Sequence, residues 1–83
     1  MSDSYPFRPI HVIAAEIRAD WTRPYFGAVP YLDAMFSLDR ITDNYILDSG
    51  VSVVLYFLAN ANTWRGETAR RIKAELKAMT RGR

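Results

Sequence analysis

Apolar residues recur at helical spacing in two stretches of the chain. Ile10, Ile13, Ile17 and Trp21 follow Pro9 at intervals of three and four, and Ala69, Ile72, Leu76 and Met79 do the same near the end. The first series predicts a helix over residues 9–21, with Pro9 at the first position, where a missing N–H is no loss. The second predicts a helix capped by Thr63, with Glu67 four residues before Arg71 in the favourable order for an ion pair. Pro24 and Gly27 interrupt the pattern, and Pro30 can open another helix in which Leu32, Met35 and Phe36 share a face, ending near Leu38 or Asp39.

Residues 39–48 are rich in Asp and Asn and read as a long connection anchored by Tyr45, Ile46 and Leu47, with Asp48-Ser49 as an N-cap for the next element. Residues 51–58 are ambiguous. Their β-branched and aromatic content suits a strand, with Asp48-Ser49-Gly50 turning a hairpin against residues 45–47. The apolar character nevertheless continues to Ala61 without strict polar alternation, which favours a helix, and one apolar nearly all round is central and buried. The fold class expected is therefore all-α, a single small domain of three to four helices around a central buried helix. The alternative is a small α+β fold with a hairpin near Asp48 to Gly50. Residues 1–8 and 80–83 are expected to fray.

The 83 residues allow one domain, and surface scaling gives it about 63% burial on folding, enough for one modest core. With 49% hydrophobic and 24% charged residues the chain is neither disordered nor of low complexity. The absence of cysteine removes disulfides, Cys-ligated metals and thiol nucleophiles, and it fits a cytoplasmic location. Residues 1–6 have no basic and apolar signal pattern, and the longest near-apolar run, 51–61, is about half of what a bilayer span needs, so no membrane partner is expected. The net charge of +2 hides an asymmetry: residues 1–62 carry four arginines against seven acids, whereas residues 63–83 carry seven bases against two acids. This gives an acidic body and a basic last helix, with a face that could attract phosphates or an acidic protein.

Little in the chain suggests catalysis. The one histidine, His11, has no Gly-x-Ser-x-Gly partner motif and reads as a surface or half-buried residue. Asp39, Asp43 and Asp48 lack the spacing of a calcium loop and read as turn and cap residues, and the four glycines are too scattered to cradle a phosphate. No enzyme activity, metal or cofactor is expected.

Two groups of residues are candidates for binding. Asn60 to Arg71 joins the buried helix to the basic one. In one reading Asn60, Asn62 and Thr63 satisfy helix-end backbone groups, Trp64 plugs a corner of the core and Gly66 permits close approach of another element. In the other the pair resembles a helix-turn-helix, with Arg65, Arg70, Arg71, Lys73 and Lys77 facing phosphates or bases. Tyr25-Phe26, beside Pro24 and Gly27, is the second group. These rings either form an interaction surface or, for Phe26, close the core between the first two helices. Tyr5, Tyr31 and Tyr45 are left unassigned.

Residues 25–35, together with Tyr56 to Ala61 and Thr63 to Glu67, resemble a group of small uncharacterised proteins of bacteriophages, prophages and mobile elements. The resemblance implies a context and transfers no functional residue. Such proteins commonly bind and redirect a host or phage protein, inhibitors of host defences among them. The function expected is thus a non-enzymatic accessory module that binds an unidentified protein, or a second copy of itself, through Tyr25, Phe26 and Trp64. A nucleic-acid-binding regulator using the last helix is the alternative.

Overall fold

The computed structural model describes residues 7–45 and 48–81. Among them the chain forms α1 (Ile10–Asp20), a 3-10 turn (Phe26–Ala28), α2 (Val29–Met35), β1 (Asn44–Tyr45), β2 (Asp48–Ser49), α3 (Gly50–Ala59) and α4 (Glu67–Arg81). The fold is mostly helical, with one short antiparallel ladder pairing Asn44 with Ser49 and Tyr45 with Asp48. That ladder gives the small α+β alternative its only foothold among the described residues. Residues 51–58 lie within α3, so the strand reading of that segment does not hold.

α1 buries Ile10, Ile13, Ala14 and Ile17, the face its spacing predicts. Pro9 stands one position earlier than expected, as N-cap, and contributes no side-chain cap. The free N–H groups of Ile10 and His11 instead donate to the carbonyls of Asp39 and Leu38, at 2.8 and 2.9 Å. The start of α1 is therefore satisfied by the connection after α2.

α2 is shorter than expected. It stops at Met35, and Phe36 lies exposed under the guanidinium of Arg18 instead of sharing the buried face of Leu32 and Met35. Leu38 and Ile41 anchor the next connection in the core, while Tyr45 packs at its edge. The anchoring expected of Ile46 and Leu47 lies outside the described residues. The Asp43 carboxylate accepts the N–H groups of Asp39 and Arg40, which makes it a turn residue and holds its pKa below the ordinary carboxylate value.

Ser49 caps α3 by accepting the N–H of Ser52, as expected of the Asp48-Ser49 pair. Gly50 comes next because only a residue without a side chain fits: a Cβ there would meet the carbonyl oxygens of Ile41 and Asp43 at 2.7 and 2.9 Å. α3 is central, packed against α2, α4, the 3-10 turn and the ladder. Only one side is buried, through Val53, Val54 and Phe57, and Leu55, Tyr56 and Ala59 face outward. The near-continuous apolar sequence concealed this, because four short helices leave one face of α3 uncovered.

α4 begins at Glu67, so Thr63 is not its cap. The chain turns into it through Gly66 at φ 113°, a left-handed conformation, and no atom lies near enough for that glycine to serve close approach. Ala69, Ile72, Leu76 and Met79 are buried as predicted.

Charged groups join the two longest helices. Arg8 donates to both carboxylate oxygens of Glu75 (3.1 and 2.8 Å) and to Glu16 (2.9 Å), and Arg71 donates to the other Glu16 oxygen. Arg8 is thereby tied to both helices, Phe7 packs against the core, and α4 includes Thr80 and Arg81. The remainder of the expected frayed ends, residues 1–6 and 82–83, lies outside the described residues. Arg71 first, then Arg8, hold the Glu16 carboxyl below its ordinary pKa. Such a group favours folding above its unfolded pKa, and the contribution vanishes as pH falls through the depressed folded value. Thermal unfolding followed by circular dichroism from about pH 7 to about pH 3 should therefore show a falling midpoint. Glu16→Gln should lower the neutral-pH midpoint and flatten that slope.

Candidate functional site

Trp64, within the connection from α3 to α4, packs inward. Its indole stacks on that of Trp21 at 5.7 Å and 12°, and Phe57 meets both rings edge-on at 6.2 Å. Its Nε1 donates to Asp20 (2.8 Å), and its carbonyl accepts the Lys73 ammonium (2.7 Å). At 2% exposure it offers no surface to a partner, so its place among the expected protein-binding residues gives way to the core reading.

Tyr25 and Phe26 stand at the opposite extreme, 45% and 79% exposed. Phe26 does not close the core between the first two helices; the buried Ala28 occupies the inward position of the 3-10 turn. The two rings touch at 4.8 Å between centroids. Tyr25 also lines, with Ala59, Asn60, Asn62 and Thr63, an open concavity of about 300 Å³. Gly27 lies against both Tyr25 and the Asn60 side chain, which in turn donates to the Tyr56 carbonyl (2.9 Å) at the end of α3. The 3-10 turn and the uncovered face of α3 thus form one surface. Tyr56, 55% exposed, stacks on Tyr31 at 5.4 Å, and Leu55 is 48% exposed beside it. Sequence reasoning missed Leu55, Tyr56 and Ala59. The signal was there: with Ser52 they fall on one side of the α3 helical wheel, opposite Val53 and Phe57.

The cations expected of a DNA-reading helix are divided. Arg65, Arg70 and Lys77 are exposed, whereas Arg71 is paired with Glu16 and Lys73 is half-buried on Trp64. The connection between α3 and α4 has seven residues, 60–66, longer than the three or four of a helix-turn-helix. His11 is at the surface with Nε2 2.9 Å from Asp39. Among the described residues no group of three or more His, Asp or Glu could hold a metal ion, and no helix is long and apolar enough to cross a membrane. No family model, curated protein or solved structure matches the chain.

The two kinds of aromatic residue should respond oppositely to truncation. Trp64→Ala should cost about 3–5 kcal/mol in urea unfolding, a large share of the roughly 4–12 kcal/mol a domain of this size holds. Phe26→Ala and Tyr25→Ala should each stay within about 0.5 kcal/mol of the parent, as surface substitutions do.

Proposed function

We propose that the domain is a non-enzymatic accessory module that binds another protein through Tyr25, Phe26, Leu55, Tyr56 and Ala59. The observation that carries this reading is Phe26, 79% exposed on a regular 3-10 turn beside the uncovered face of α3. Burying such a ring is worth about 1.5–3 kcal/mol. The free domain forgoes that gain, and a complex would recover it. Grouped exposed apolar side chains on a small domain mark an interaction surface, and aromatic residues dominate the energetics of such surfaces.

The lining also describes the partner. The concavity beside Tyr25 is bordered by the amides of Asn60 and Asn62 and the hydroxyl of Thr63, with no charged side chain. A partner would therefore bring apolar side chains and backbone polar groups, as a helix does when it sets its apolar stripe against another helix. The resemblance of residues 25–35, 56–61 and 63–67 to small phage and mobile-element proteins is the reason to seek that partner in the host cytoplasm, host defence proteins included.

Affinity capture from a nuclease-treated lysate, run in parallel with the parent chain and Phe26→Asp, tests this reading. One stoichiometric protein should be retained by the parent and lost with the variant, at unchanged thermal stability. Equal retention by both would remove the aromatic surface from consideration. If light scattering finds a dimer that Phe26→Asp dissociates, the occupant is a second copy of the chain.

A further inference from the structure

The ion pairs are unevenly distributed over the surface, and the cations they leave over are informative. Arg8 and Arg71 are neutralised by Glu16 and Glu75, and Arg18 by Asp33. Arg65 and Arg70 have no carboxylate within ion-pair distance among the described residues, and the Lys73 ammonium is held by the uncharged carbonyl of Trp64. These three cations line the same open concavity of about 330 Å³, together with Trp64, Gly66 and Ala69. No acid lines it. Glu67, the nearest carboxylate along the chain, lines the adjoining concavity with Arg71 and Ala74, and Arg70 stands between the two concavities and borders both. Three cations without a carboxylate partner are therefore gathered around one hollow at the start of α4, while Lys77 and Arg81 stand further along the helix, outside it.

We propose that this hollow binds a single phosphate group, as inorganic phosphate or as the terminal group of a phosphomonoester, on Arg65, Arg70 and Lys73. Guanidinium groups suit the bidentate hydrogen bonding that phosphate oxygens offer, and an ammonium adds a compact point charge. Lys73 is held in place by the Trp64 carbonyl, and two of its three N–H donors stay available. Its surroundings fit an empty anion site: burial first, then Lys77 and Arg65, press its pKa below the ordinary lysine value. A bound dianion would relieve that pressure. A nucleic-acid backbone is the less favoured ligand, because it needs cations in a row and Arg71 is already committed to Glu16. The site is separate from the aromatic surface and does not depend on it.

Titration of the intact chain with inorganic phosphate and with phenyl phosphate, followed by amide NMR at constant ionic strength, tests the site. Saturable shifts should centre on residues 65–70. Arg65→Ala and Arg70→Ala should each weaken binding by about tenfold, the scale of one hydrogen bond to a charged group. Arg81→Ala, at the far end of α4 and outside the hollow, and Phe26→Asp should leave it unchanged. Tighter phenyl phosphate binding identifies a phosphomonoester, and equal or tighter inorganic phosphate binding identifies the free ion. Three results would each overturn the proposal: shifts that never saturate, Arg81→Ala weakening binding as much as Arg70→Ala, or a 5′-hydroxyl oligonucleotide binding as tightly as its 5′-phosphorylated counterpart.

Discussion

The indole of Trp64 lies flat on that of Trp21, its N–H is held by Asp20 at the end of α1, and its carbonyl is held by Lys73 on α4. Phe57 of α3 closes the group from the side. Three helices thus meet at one residue of a connection, and the rest of the architecture depends on keeping it there. Because Trp64 must point inward, the chain needs an abrupt change of direction before α4, which Gly66 supplies with a positive φ. Because Lys73 is drawn to the Trp64 carbonyl, the beginning of α4 lies close against the connection, and Arg65 and Arg70 border the hollow they share with it.

The same constraint separates the two candidate surfaces. Once the core takes both indoles and Phe57, the outer side of α3 has nothing left to pack against, and Tyr56 finds only the partial cover of Tyr31. The uncharged aromatic surface and the cationic hollow share one connection, 60–66: Asn60, Asn62 and Thr63 border the first, and Trp64, Arg65 and Gly66 border the second. A short segment whose purpose is to bury one tryptophan thereby borders both surfaces.

Much of the fold was legible in the sequence because helical spacing records burial directly. The inward faces of α1 and α4 appear at the expected residues. What was not legible depended on contacts between distant segments. Whether Trp64 or Phe26 is the buried ring cannot be read from neighbours in sequence, since both sit in connections free of helical periodicity; the choice is made by Trp21 and Asp20, more than forty positions before Trp64. The uncovered face of α3 was hidden for the opposite reason. Only Ser52 and the Tyr56 hydroxyl set its residues apart from Val53, Val54 and Phe57 of the buried face, a faint contrast that the helical wheel shows and a linear reading passes over. Charge was legible as a total for the last helix and misleading in detail, because Glu16 takes Arg71 out of the free set and the Trp64 carbonyl fixes where the Lys73 ammonium sits.

The position of Trp64 also governs how the chain reaches this structure. Its hydrogen bond to Asp20 joins residues 44 positions apart, and the ion pairs of Arg71 with Glu16 and of Arg8 with Glu75 span 55 and 67, so the core closes only when α1 and α4 are both present. α3 and α4 can approach each other early, yet without α1 they lack the surface on which the tryptophan rests. Closing so long a loop is entropically costly before the stacking compensates for it, and a contact of that span slows folding while making it all-or-none. The domain should therefore gain or lose its structure as one unit, with no stable helical half to accumulate on the way.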